Sequence, residues 1–181
     1  MLFVVDTNVP VVANGKSEQA SSSCVMACAK QLEELKNIGK LVIDDQWRIV
    51  KEYIQNLRSE GQPGVGDEFL KWVLTNWKNP HRCELVSITP FGTDQSNFEE
   101  FPSDPRLCNF DPSDRKFVAV SLAHAQRPPI LQSVDRKWWE VREILKENGV
   151  EIEFLCEMEV KQSRKKKSTY SKIPPKISKV G

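Results

Sequence analysis

Two histidines in 181 residues cannot between them supply a histidine-rich metal site, and His81 and His124 are read as structural. Glycine is sparse, with eight residues and no repeating period, which excludes collagen-like and other fibrous architectures. The five cysteines (Cys24, Cys28, Cys83, Cys108 and Cys156) are odd in number and contain no C-x-x-C pair. That pattern suits a reducing compartment and argues against a disulfide framework or a zinc ribbon. Cys24 and Cys28 lie one helical turn apart, a spacing read as helix packing. No stretch approaches the about 18–20 apolar residues of a membrane span. Met1 is followed only by Leu2-Phe3-Val4-Val5 before Asp6, short of the roughly 7–15 apolar residues of a secretory signal. A cytoplasmic, membrane-free protein is expected. Finally, residues 161–181 hold no Asp or Glu at all.

What is present is globular in kind. Hydrophobic residues make up 39% and charged residues 28%, and the length suits one domain with room for a tail. The net charge of +1 hides an asymmetry. Eight basic residues fall in 161–181, which leaves 18 of the 26 basic and all 25 acidic residues in the first 160, a balance of −7. An acidic body over 1–158 joined to a basic, disordered tail over 159–181 is the expected organisation. Such a tail suits nucleic acid or another anionic surface.

Strand and helix signals alternate along the chain. Leu2–Val5 is a short apolar run of the kind buried on both faces in parallel sheets. A helix is expected over 18–37, then a strand over 40–43 ending at Asp44-Asp45. Asp45 is placed to cap a helix over 46–58. After the loop 61–66, Asp67 opens a helix over 68–79, and a strand follows over 85–88. The proline-rich stretch 90–110 has no clean period and reads as a long loop, a length often associated with function. Asp111-Pro112-Ser113-Asp114 is a helix start, with the helix running to about 126 before Pro128-Pro129. A strand over 130–134, a helix over 137–148 closed by Gly149, and a strand over 151–155 complete the pattern. The order predicts an α/β three-layer sandwich, its sheet mainly parallel and flanked by helices.

In open α/β sheets ligands bind outside the carboxyl ends of the strands, where the strand order reverses. Three expected strands run out into an acid: Asp6, Asp44 and Asp135. On a helical wheel Asp114 shares the most apolar stripe of its helix with Val118, Ser121, Leu122 and Ala125, so it points inward. A carboxylate there needs a partner or a cation. Several in one cleft stay ionised together only around a metal, and oxygen donors select Mg²⁺ or Mn²⁺. Metal–carboxylate clusters of this type hydrolyse phosphodiesters. Each acid also has a plainer reading. An Asp after a strand is often a turn or cap residue, Asp111 reads as an N-cap, and Glu52 reads as either a solvated surface Glu or part of a polar cleft face.

Val4-Val5-Asp6-Thr7-Asn8, Glu52 on the second helix, Asp114-Arg-Lys-Phe-Val-Ala-Val-Ser-Leu-Ala, and Ser133-Val134-Asp135 followed by Trp138 together resemble the PIN domain family. The elements come in the family's order and span about 2–155. The resemblance implies a sheet of about five parallel strands and a metal-dependent nuclease, most often an endoribonuclease. It implies that Asp6, Glu52, Asp114 and Asp135 form an acidic quartet holding one or two Mg²⁺ or Mn²⁺ ions. Asn8 and Ser133 would steady the first Asp and the attacking water, and Asp111 would help through a water or only cap. The implied reaction is in-line hydrolysis by a metal-activated water, leaving a 5′-phosphate and a 3′-hydroxyl.

An acidic site that takes a polyanion needs a basic border. Arg115, Lys116, Arg136 and Lys137 directly follow two of the acids and are candidate phosphate contacts, or else an ordinary solvated helix face. Trp138-Trp139 is a candidate stacking platform or core. The expected partner is nucleic acid, RNA ahead of DNA, with a protein inhibitor and a second copy of the chain as further candidates. A toxin nuclease silenced by a partner is one biological setting, although the 90–110 segment and the tail exceed a minimal toxin. A non-catalytic nucleic-acid-binding scaffold is the main alternative. A phospho-acceptor receiver domain is disfavoured, because its paired acids belong after the first strand and here follow the second, as Asp44-Asp45.

Overall fold

The computed structural model describes residues 1–58 and 62–161. In chain order the elements are β1 (Leu2–Val5), α1 (Asn8–Ala13), α2 (Ser22–Ile38), β2 (Lys40–Asp44), α3 (Arg48–Asn56), α4 (Val65–Asn76), β3 (Cys83–Val86), β4 (Pro90–Phe91), β5 (Asn97–Phe98), a 3₁₀ turn at Pro105–Leu107, α5 (Arg115–Ala123), β6 (Ile130–Gln132), α6 (Arg136–Glu147) and β7 (Ile152–Phe154). The main sheet has five strands in the order β3-β2-β1-β6-β7. Every pairing in it is parallel, with Leu2 opposite Lys40 and Val4 opposite Ile130. Helices flank the sheet, giving the three-layer α/β sandwich. β1 is apolar at every position because it is the central strand: Val4 and Val5 are wholly buried.

The chain leaves β1 towards β2 and β3 on one side, and β6 and β7 extend the sheet on the other. The strand order therefore reverses between β1 and β6, and the carboxyl ends of those two strands frame a crevice.

Several boundaries depart from the sequence reading for local reasons. The six-residue helix α1 was not expected. Pro10 is the third helical residue, where no intrahelical donor is needed, and Val9, Pro10, Val12 and Ala13 are buried. α2 starts at Ser22, its N-terminus capped by the Ser21 hydroxyl, which accepts from the Cys24 amide. α3 is capped by Asp44 rather than Asp45. The Asp44 carboxylate is fully buried and accepts from the backbone amides of Gln46, Arg48 and Ile49. α4 begins at Val65, with Asp67 inside its first turn. Stretch 90–110 is not a bare loop: it carries the β4–β5 hairpin and the 3₁₀ turn, and it buries Phe98, Leu107 and Phe110.

The cysteines also differ from expectation. Cys24 and Cys156 form a disulfide across 132 residues with Cα atoms 5.4 Å apart, while Cys28 and Cys83 are buried free thiols and Cys108 is exposed. Residues 157–161 form a helical turn, and Glu159 accepts from the Ser21 amide at 3.1 Å. The start of the basic segment expected over 159–181 is thus part of the body, and 162–181 lie outside the described residues.

α1 and α4 meet without a spacer. A Cβ on Gly66 would sit 1.9 Å from the Pro10 carbonyl oxygen. The same contact is tied by Asn14, whose side-chain oxygen accepts from the Gly66 amide at 2.8 Å and whose amide group donates to Asp67 at 2.8 Å. Gly66→Ala forces the two backbones apart, a clash of the overpacking kind that costs about 1–3 kcal/mol. A lower denaturation midpoint with an unchanged m-value checks it.

Candidate active site

Asp6 sits one residue past β1 and is 2% exposed. Its Oδ1 accepts from the Asn8 amide at 2.8 Å, which turns the chain into α1. The Asn8 side chain reaches across the strand-order reversal and donates from Nδ2 to Asp135 Oδ2 at 3.3 Å. Asp135 follows β6 by three residues and caps α6, its Oδ1 accepting from the Lys137 amide at 2.7 Å. Two adjacent strands thus deliver Asp6 and Asp135 to one crevice, with Asn8 as the bridge between their turns.

Asp114 enters from the far side of the sequence. It occupies the N-cap position of α5 rather than the helix interior. The fully buried Trp138 indole donates from Nε1 to Asp114 Oδ2 at 3.1 Å. Glu52 comes from α3 and pairs with the Lys116 ammonium, which also donates to the Ser113 carbonyl.

The electrostatics record how these acids crowd. Burial pushes the Asp6 carboxyl well above the usual range, and Asp114, Glu52 and Asp135 add to the rise against the Asn8 amide. Asp114 is raised to about 7 by burial first, then by Asp111, Asp135 and Glu52, with Lys116 opposing. The Tyr53 hydroxyl, which donates to the Val5 carbonyl at 2.5 Å, is likewise raised by burial and then by Asp6 and Glu52. One ammonium among four carboxylates leaves the cluster short of positive charge.

Two hydroxyls beside these acids, Thr7 Oγ1 and Ser133 Oγ, are buried without a hydrogen-bond partner. Orphaned polar atoms next to desolvated carboxylates fit a cation and its coordinated water, and the all-oxygen donor set suits Mg²⁺ or Mn²⁺. Among the described residues, no three of the carboxylates bring one oxygen each within 4.8 Å of one another. The acids are therefore electrostatically joined but spread, and the Lys116 ammonium lies against Glu52 on one flank.

The basic residues divide sharply. Arg115 is spent on the loop: it donates to Asn97, to the Cys108 carbonyl at 3.0 Å and to the Phe110 carbonyl at 3.1 Å, and its guanidinium lies over Phe101. Lys116 is buried against Glu52. Arg136 pairs with Glu140 at 2.8 Å. Lys137 is 72% exposed and reaches Asp111 at 2.8 Å, so Asp111 is held down to about 2 by that ammonium and by Ser113. Trp138 and Trp139 are both buried, which removes them as a stacking platform. His124 pairs with Glu84 at 3.0 Å, a structural contact.

The sequence reading missed two residues, Arg48 and Lys51, and the role of Trp138. Trp138 orients Asp114 through its N–H. Arg48 and Lys51 line a cavity of about 450 Å³ that also takes in Glu52, Gln55, Phe98 and Lys116. Arg48 Nε is buried there without a partner. The available signal was their spacing of four and one residues before Glu52 on α3.

Comparison of the chain with models of protein families, with curated proteins and with solved structures finds no match.

Two predictions follow from the charges. A carboxyl with a higher pKa in the fold than in the unfolded chain binds its proton more tightly when folded, so stability falls as pH rises between the two values. For Asp114 that window runs from the ordinary Asp range near ~4 up to about 7. Without divalent cations, Tm is expected to fall from pH 5 to pH 8; Mn²⁺ should raise it more at pH 8 than at pH 5, and Asp114→Asn should flatten both trends in a melting series. Trp138→Phe keeps the ring and removes the N–H. It should weaken Mn²⁺ binding roughly 10-fold or more, the usual effect of losing a group that orients a ligand, as read by calorimetry.

Proposed function

We propose that this chain is a metal-dependent nuclease of the PIN type, an endoribonuclease that hydrolyses phosphodiester bonds in RNA. The observation that supports the reading is the electrostatic coupling of Asp6, beside the strand-order reversal, to Asp114, Glu52 and Asp135, with Asp6 and Asp114 both driven towards protonation by burial and by neighbouring acids. A cluster that resists its own ionisation is a site built for positive charge.

The bound cation, Mg²⁺ or Mn²⁺, supplies activation of water and neutralisation of the departing oxygen. The chain's own residues hold and aim. Asp6 and Asp135 face the crevice from adjacent strands, with Asn8 keeping them in register. Trp138 holds Oδ2 of Asp114, while Oδ1 lies 3.5 Å from the Ser113 hydroxyl. Thr7 and Ser133 offer hydroxyls to water at the floor. Arg48, Lys51 and Lys137 flank the acids and are the phosphate contacts in this reading. No Ser, Cys or His nucleophile is called for, and no covalent intermediate forms. The resemblance favours RNA over DNA as substrate. No helix among the described residues is long and apolar enough to cross a membrane.

One observation favours a second reading. Lys116 already neutralises Glu52, and no three carboxylates converge within 4.8 Å. A fold whose acids are satisfied internally would serve as a non-catalytic nucleic-acid-binding scaffold. Purified chain incubated with labelled single-stranded RNA and DNA separates the two. Cutting with Mn²⁺ or Mg²⁺ is expected, abolished by chelator and reduced at least about 100-fold in Asp6→Asn and in Asp114→Asn, in line with removing groups that stabilise transition-state charge. Tight binding without cutting under every metal condition would establish the scaffold instead.

A further inference from the structure

Outside the acidic cluster, three cysteines gather at one place. Cys24 and Cys28 stand one turn apart on α2, and Cys156 comes from the turn after β7; all three are buried, and their sulfurs lie within 4.8 Å of one another. Cys28 Sγ is 3.9 Å from Cys156 Sγ. Glu159 closes the same corner, accepting from Ser21 at the N-terminus of α2. A cavity of about 270 Å³ borders Cys24 and Cys156, with Ser23, Met158 and Glu159 also in its wall; Cys28 lies behind it.

A simple disulfide explains two of these sulfurs and not the third. A packing role explains a lone Cys28 and not its place beside both others. We propose that the reduced form of Cys24, Cys28 and Cys156 is a binding site for a single thiophilic d¹⁰ cation, Zn²⁺ or Cu⁺, which clamps the C-terminal turn onto α2.

The geometry suits this. Metal–sulfur bonds of about 2.3 Å at tetrahedral or trigonal angles place the sulfurs about 3.8–4.0 Å apart, and the Cys28–Cys156 separation is 3.9 Å. Cys24 and Cys156 need only part as their bond is reduced. Thiolate ligands select soft cations over Mg²⁺ or Mn²⁺, so this site and the acidic one would not compete for metal. Burial disfavours a bare thiolate, whereas a bound Zn²⁺ would offset two of the three thiolate charges and Cu⁺ one. The open side of the cavity gives an entry path and room for a water as fourth ligand.

The chemistry balances in two steps. A dithiol reductant delivers two electrons and two protons to the Cys24–Cys156 bond and becomes a disulfide itself, leaving three thiols. Binding of the cation then releases the three thiol protons to solvent. Oxidation and metal loading are therefore alternative closures of the same corner, and both join α2 to the segment that leads into the basic residues 162–181.

The test uses the full chain, reduced and kept free of oxygen, with Zn²⁺ and Cu⁺ in separate arms. Expected are one Zn²⁺ or one Cu⁺ per chain after gel filtration, and sulfur-to-metal charge-transfer absorption when Co²⁺ replaces Zn²⁺. Protection of all three cysteines from alkylation is expected in the loaded protein. Binding should persist in the Asp6→Asn, Asp114→Asn double variant and weaken at least tenfold in Cys28→Ser, a variant that still permits the Cys24–Cys156 disulfide. A melting curve confirms that Cys28→Ser is folded; if it is not, the metal stoichiometry and the sulfur-to-Co²⁺ charge-transfer absorption of the wild-type chain decide. Failure of the reduced chain to take up either metal, uptake indifferent to Cys28→Ser in the folded variant, or no protection of Cys28 would overturn the proposal and leave a disulfide beside a packed thiol.

Discussion

Carrying a carboxylate into the interior is costly unless the charge is met there, and Asp6 is carried in by the central strand of the sheet. The surroundings answer that cost in stages. The Asn8 amide takes one oxygen. The Asn8 side chain passes on to Asp135, so the turns after β1 and β6 are set relative to each other by one asparagine. Asp114 is then brought up by α5 and fixed by an indole that is itself core. Each of these steps adds order around Asp6, yet each added acid raises the charge problem further. In the proposed reading, a bound cation would meet that remaining charge.

The segment over 90–110 acts on the site indirectly. Its Phe98, Leu107 and Phe110 are buried, and Phe110 packs edge-on against Trp138 at 5.0 Å. The indole that holds Asp114 is therefore held in turn by the long segment. Arg115 fastens that segment by donating to the Cys108 and Phe110 carbonyls. A residue placed beside an acid in the sequence thus stabilises the wall of the site instead of contacting phosphate. Phe98 also lines the cavity next to Glu52, so the same segment shapes one side of the approach to the acids. Lys116 belongs to the site in a different manner, as a fixed internal cation rather than a solvent-exposed one.

How much of this was legible beforehand depends on the range of the forces involved. The parallel α/β sheet was readable, because an uninterrupted apolar strand such as Leu2–Val5 is tolerated only where both faces are covered, and because strand and helix periods alternate down the chain. The approach of Asp6 to Asp135 was readable too, since strand ends at a reversal of order share a crevice. Whether Asp44 or Asp45 capped α3 was not, because the choice turns on which carboxylate the strand buries. The fate of Arg115, Lys116, Trp138 and Trp139 was not either: a residue's neighbours in sequence do not say which way its side chain leaves the backbone.

By itself the sequence determined the layered architecture, the strand-end acids and the concentration of basic residues after 160, since all three rest on local pattern and composition. Only the tertiary structure decided which acids share charge, which basic residues are free to meet a polyanion, and that Cys24, Cys28 and Cys156 converge. Those outcomes depend on contacts between segments as far apart as 132 residues. Such contacts are set by how the helices pack across the sheet, a constraint that no single stretch of the chain contains.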